Sequence, residues 1–92
     1  MQYYVYILTN LRRTVIYVGV TRDIERRVFE HKTKAWKGFT NKYNCDRLVH
    51  LETFARIADA IVREKELKKY RREWKENLII EGNPGWDDLS AG

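Results

Sequence analysis

Cysteine is nearly missing from this chain: Cys45 is the only one in 92 residues. A lone thiol cannot close an intrachain disulfide, and without a Cys/His cluster at ligand spacing a structural zinc site has no ligands. Both absences set the expectation of a reducing, cytoplasmic context. Long apolar runs are missing too. The opening MQYYVYILTN lacks the basic start, continuous apolar stretch and small-residue cleavage site of a signal peptide, and no run approaches the roughly 20 residues that span a bilayer. No membrane partner is expected. Internal repeats, low-complexity tracts and linkers are absent, and a Gly, Pro and Asp signature of loose chain is confined to the end. The expected organisation is therefore a single domain over 1–82 and a tail over 83–92.

What is present is aromatic and basic. Three Trp, six Tyr and three Phe supply enough apolar bulk for one packed core. The net charge is +5, and it is unevenly spread: Arg56 to Lys75 holds eight basic residues against four acidic, and Arg22 to Lys42 seven against three. A basic surface favours polyanions, with phosphate backbones the commonest intracellular kind. Two solvated helices using Lys and Arg for solubility would give the same count.

Tyr3 to Leu8 is β-branched and aromatic with no polar face, which predicts a strand covered on both sides and central in its sheet. Thr9 to Arg13 carries the turn signal, and Thr14 to Val20 is a second β-rich run, so the two form a hairpin. Asp23 is a suitable N-cap for a helix from Ile24 to about Trp36. Lys37 to Asp46 reads as an irregular loop and Arg47 to Phe54 as a third strand. A helix from Ala58 or Asp59 to about Tyr70 follows, then a shorter one from Arg72 to Glu81, before Gly82-Asn83-Pro84-Gly85 breaks it. The expected fold class is α/β (α+β): a small three-stranded antiparallel sheet flanked by helices, in the order β-β-α-β-α-α.

Polar groups interrupt the apolar stripes of both long helices. In the first, Ile24, Val28 and Ala35 define a stripe that contains Arg27 and His31, an i,i+4 pair able to converge on one ligand. Singly, each has a bland explanation, a snorkelling arginine and a satisfied core histidine. In the second, Glu64 falls within the arc of Ile57, Ala60, Ile61 and Leu67. A buried carboxylate needs a cation, and a metal, Arg27 or Lys68 could serve. In the strands, alternation puts Tyr4, Tyr6 and Leu8 on one face, and Val15, Tyr17 and Gly19 on one face of the next. Gly19 inside a strand marks a bulge or a close approach.

Together these residues resemble the GIY-YIG endonuclease superfamily, in particular its short single-domain bacterial branch related to the nuclease module of the excision-repair incision subunit. Tyr4-Val5-Tyr6 stands where the family has Gly-Ile-Tyr, so that Tyr4 replaces its first glycine, and Tyr17-Val18-Gly19 matches Tyr-Ile-Gly. Arg27 falls ten residues after Tyr17, and RRVFEH fits the R-x-x-x-H helix. Glu64, followed four residues later by Lys68, fits the family's metal-binding glutamate, and NPGWDDL is similar to the branch's Asn-Pro-x-Trp ending. Asn77 and Asn83 are both candidates for the family's downstream asparagine.

The resemblance implies repair-related phosphodiester hydrolysis of DNA with Mg²⁺ or Mn²⁺ on Glu64, and the lack of a base-reading helix sets the expectation of structure-selective or non-specific binding. Arg27 would bind the scissile phosphate and His31 would donate to it or orient water. Tyr17 would be the base, with Tyr6 its hydrogen-bonding partner and second candidate. A phenol ordinarily titrates near 10, so either needs positive charge nearby. Thr21 is a candidate for holding water or phosphate, or a plain turn residue. Lys32, Lys34, Lys42, Lys68 and Arg72 are candidates for phosphate contact on DNA, or on RNA, without reading sequence. A protein partner supplying specificity is the further partner expectation. Two other readings compete: a non-catalytic nucleic-acid-binding module of the same fold, and a basic protein-interaction domain with Trp36, Phe39 and Tyr43 as anchors.

Overall fold

The computed structural model describes residues 1–35 and 38–91. Strands β1 (Tyr3–Thr9), β2 (Ile16–Thr21) and β3 (Arg47–Phe54) form one antiparallel sheet in the order β2-β1-β3. The expected architecture is the observed one, with β1 central and buried from Val5 to Thr9. Its alternation feeds two cores. Val5 and Ile7 pack with Val18 and Val49 against one layer of helices, and Tyr6 and Leu8 pack with Leu48, Cys45 and Val28 on the opposite face.

Helix α1 (Ile24–Lys32) covers the Tyr6 face. Asp23 caps it as expected, its carboxylate accepting from the Arg26 amide at 3.1 Å. The helix stops earlier than the periodicity suggests, and Ala35 is exposed instead of lying in the stripe. Lys34 adopts a left-handed backbone (φ 57°), so that its amide donates to the His31 carbonyl at 3.3 Å and the Ala35 amide to that of Glu30 at 3.0 Å. This pair of bonds is a Schellman closure built on lysine where glycine is usual, which removes the sequence signal for the helix end. Trp36 and Lys37, the predicted end of the helix and start of the loop, lie outside the described residues. Within the predicted loop a short helix, α2 (Phe39–Lys42), forms.

Helices α3 (Ile57–Lys69) and α4 (Arg72–Gly82) cover the other face through Ala60, Leu67 and Ile79. A shift in register between Ile7 and Leu8 lets Val49 enter this core alongside His50. Arg63 fastens α3 to β3 with two bonds to Glu52, at 2.8 and 3.1 Å. The segment after α4, which composition alone marks as loose, is docked. Asn83 and Trp86 are buried, and Asn83 Nδ2 donates to the carbonyls of Val49 and Asp87. The Leu89 amide donates to the Leu48 carbonyl at 2.7 Å, and the Leu48 amide donates to Asp88 at 3.2 Å. The open edge of β3 is thus partly satisfied by the chain's own end. Among the described residues, no helix is long and apolar enough to cross a membrane.

Candidate functional site

Hairpin register builds the first half of the site. Tyr6 pairs across the strands with Gly19, and Tyr17 pairs with Leu8. A Cβ placed on Gly19 would stand 2.4 Å from Cζ and Oη of Tyr6. The close approach expected at this glycine is therefore that of the hydroxyl end of the Tyr6 ring, which is fully buried. The tyrosines end diagonal to each other, with ring centroids 6.3 Å apart.

Helix α1 supplies the second half. Its i,i+4 pair points at the tyrosines: Arg27 Nη1 donates to the Tyr6 hydroxyl at 3.4 Å, and the His31 ring lies 6.3 Å from Tyr6 and 6.0 Å from Tyr17. Arg27 Nε also pairs with Glu30 at 3.7 Å. His31 is buried, and its Nδ1 is hydrogen-bonded to the Thr40 hydroxyl at 2.7 Å, which ties α2 to the site. Four of the five residues singled out from the sequence thus share one cluster.

Glu64 comes from α3 and, among the described residues, makes no hydrogen bond or ion pair with that cluster. It occupies the sheet-facing stripe between Ala60 and Leu67, with its side chain 16% exposed. Of the cations the sequence offers it, Lys68 is the one it pairs with, at 3.2 Å. Lys68 is itself half-exposed, so its amine can leave without unfolding anything. Among the described residues no three His, Cys, Asp or Glu side chains cluster as metal ligands. A cation here would rely on one carboxylate plus oxygens from water and substrate, an arrangement that suits a hard divalent ion.

The electrostatics separate the groups. Burial, reinforced by Tyr17, pushes the Tyr6 phenol up to about 12 despite Arg27, so it stays protonated. Burial and then the Arg27 charge lower His31, against a smaller opposing effect of Glu30, so its imidazole is neutral at pH 7. Beside Arg27 a shallow cleft of about 210 Å³ is lined by Thr21, Arg22, Asp23, Arg26, Arg27 and Glu30. Three arginines against two carboxylates leave the cleft net positive, which suits a phosphate. Arg22 and Arg26 were legible as charges in TRDIERR but not as neighbours of Arg27. Thr40 had no sequence signal at all. A larger cavity of about 440 Å³ between α1 and β3 is lined by Ile24, Val28, Leu48 and Leu51 and holds none of the clustered residues.

The remaining candidates are scattered. The Thr21 hydroxyl accepts from the Asp23 amide at 3.1 Å, a turn bond at the helix entrance. Lys32 is paired with Asp88 at 2.5 Å. Arg72 donates to the Thr14 carbonyl at 2.8 Å and to that of Arg13, holding the β1–β2 turn against α4. Lys34 and Lys42 are exposed. Asn83 is engaged in the docked end, whereas Asn77 is exposed.

The GIY-YIG catalytic domain matches residues 2–77, and the chain belongs to that family, which places it in a class of nucleases. Within it, the chain is similar to small single-domain members known as UPF0213 proteins. It is 40% identical to the UPF0213 protein of Haloquadratum walsbyi, over 87% of this chain and 89% of that one. Identity is 37% to the relative in Natronomonas pharaonis, over 86% and 92%. The solution NMR structure of the UPF0213 protein from Bacillus halodurans superposes with a TM-score of 0.61 at 30% identity, covering 96% of this chain and 93% of that one.

Proposed function

We propose that this chain is a divalent-metal-dependent endonuclease that hydrolyses phosphodiester bonds of DNA, choosing substrates by structure rather than sequence, in a repair-related setting. The observation that carries the reading is the convergence of Tyr6, Tyr17, Arg27 and His31 across two strands and a helix. A structural arginine and a structural histidine would not need two tyrosines beside a cationic cleft.

In this reading Arg27 binds the scissile phosphate and offsets the charge that develops on it, and Arg22 and Arg26 hold the neighbouring backbone. Tyr17, the less buried of the two phenols, is the base that takes a proton from the attacking water. Tyr6 is unsuited to that task because its proton is held up to about 12, so it serves as the neutral partner that orients Arg27. Neutral His31 orients water or donates to the phosphate without adding charge. Glu64 would hold Mg²⁺ or Mn²⁺ once Lys68 moves aside. The bound cation would supply charge stabilisation for oxygens of a substrate that reaches from the Arg27 cleft to α3.

The test is cleavage of labelled duplex, branched and single-stranded DNA at low salt with added Mg²⁺ or Mn²⁺. Arg27→Ala and Glu64→Ala are expected to lower cleavage by about 100-fold or more, in line with loss of a transition-state contact. Binding should weaken steeply with salt, as phosphate contacts do. Cleavage that survives both substitutions would refute the assignment, and binding without cleavage on every substrate would favour the non-catalytic module.

A further inference from the structure

Phe39 and Tyr43 are large aromatics that the fold leaves 51% and 39% exposed. They are not scattered. The Phe39 ring lies 6.1 Å from Tyr17 at an interplanar angle of 29°, and Tyr43 lies 4.8 Å beyond Phe39. Phe39 thus links Tyr17 of the candidate site to Tyr43. Lys42 Nζ lies over the Tyr43 ring, 5.4 Å from its centroid, and exposed Lys34 follows the end of α1.

Phe39 is anchored through its helix. Thr40, next to Phe39 in the same short helix, is buried and bonded to His31, and its carbonyl accepts from the Cys45 amide at 2.9 Å. The rings are thus held at a set distance from the candidate site even though they contribute little to the core. Exposed aromatic faces cost solvation free energy that a stacking ligand can return.

Two exposed aromatic rings, tilted 52° to each other, flanked by amines and continuous with a phosphate site, fit a nucleobase attached to that phosphate. A base inside a duplex is already stacked on both sides and offers no free face, whereas an unpaired base does. We propose that Phe39 and Tyr43 form a stacking platform for an unpaired nucleobase next to the scissile phosphate. Substrates with an unpaired nucleotide beside the cleaved bond are then preferred, with little dependence on which base it is. The proposal rests on the nuclease reading given above and adds a substrate class to it.

The experiment uses the full chain without divalent metal, and short oligonucleotides carrying one fluorescent adenine analogue, single-stranded or annealed as a duplex. Stacking should quench the analogue in the single strand. Phe39→Ala and Tyr43→Ala should each weaken single-strand binding about tenfold or more, and by a clearly larger factor than they weaken duplex binding. Phe39→Trp should preserve it, and circular dichroism should show all three variants folded. Single-strand binding at wild-type strength in both alanine variants, or equal losses on single strand and duplex, would overturn the platform. In either case the nuclease reading would stand or fall separately, on metal-dependent cleavage and its loss in Arg27→Ala. Failure to bind any oligonucleotide at low salt overturns both, and points to a protein as the occupant of the rings.

Discussion

At the scale of single residues, the site is decided by what one position lacks. Gly19 has no Cβ, and the space that atom would fill is occupied by the end of the Tyr6 ring. Tyr6 is fully buried between β2 and α1, so it cannot step aside without disturbing Val28 and Leu8 in the same core. Gly19→Ala should therefore destabilise the fold by about 1–3 kcal/mol, the usual cost of overpacking. It should also displace the hydroxyl that accepts from Arg27, lowering cleavage beyond what the lost stability explains. Urea melts and single-turnover cleavage at low temperature separate the two effects. A Gly19→Ala variant with wild-type stability would show that Tyr6 has another place to go.

At the scale of elements, the end of α1 is the informative feature, because lysine does there what glycine does more cheaply. Lys34 holds φ 57° to close the helix, a conformation that costs an L-residue roughly 1–2 kcal/mol. Glycine would relieve that strain but lose roughly 0.5–1 kcal/mol more entropy on folding. Lys34→Gly is thus expected to raise stability by about 0.5–1 kcal/mol, read as a higher denaturant midpoint at unchanged slope. If Lys34 contacts the phosphate backbone, the same variant binds DNA more weakly and its salt dependence is shallower by about one counterion. A fall in stability would mean that the lysine side chain, and not the backbone, closes the helix.

At the scale of the whole molecule, the chain's end joins both faces of the sheet and makes stability depend on acid. Burial pushes the Asp88 carboxyl up, but Lys32, Ser90 and the Leu48 amide outweigh it and hold the group at about 2, against an ordinary 3.8. Glu52 is likewise lowered, since burial is outweighed by Arg63 and His50. A carboxyl lowered by folding contributes stability that is present above its unfolded value and lost as pH falls through the folded one. His31 acts in the same direction: its folded value lies below the ordinary 6.5, so its contribution is complete above that pH and declines below it. Stability should fall progressively from about pH 6.5 to about pH 2. Asp88→Asn should be less stable than the wild type near neutrality, with the difference closing below about pH 3. Denaturant melts across that range measure it, and a difference that stays constant would refute the linkage.

Much of this protein was determined by the chain read on its own. The unbroken apolar run Tyr3 to Leu8 made β1 central, and the i,i+4 spacing of Arg27 and His31 put both on one face of α1, because strand alternation and helical pitch are properties of the backbone itself. Glu64 was legible as a carboxylate in a sheet-facing stripe for the same reason. Tertiary structure decided what those rules leave open. It set Tyr6 over Gly19, brought Thr40 to His31, aligned Phe39 with Tyr17, and docked Trp86 and Asp88 at the edge of β3. Each of these contacts joins positions from separate segments of the chain. Their selection comes from cross-strand register and from which surfaces must be covered together, and no local period encodes either.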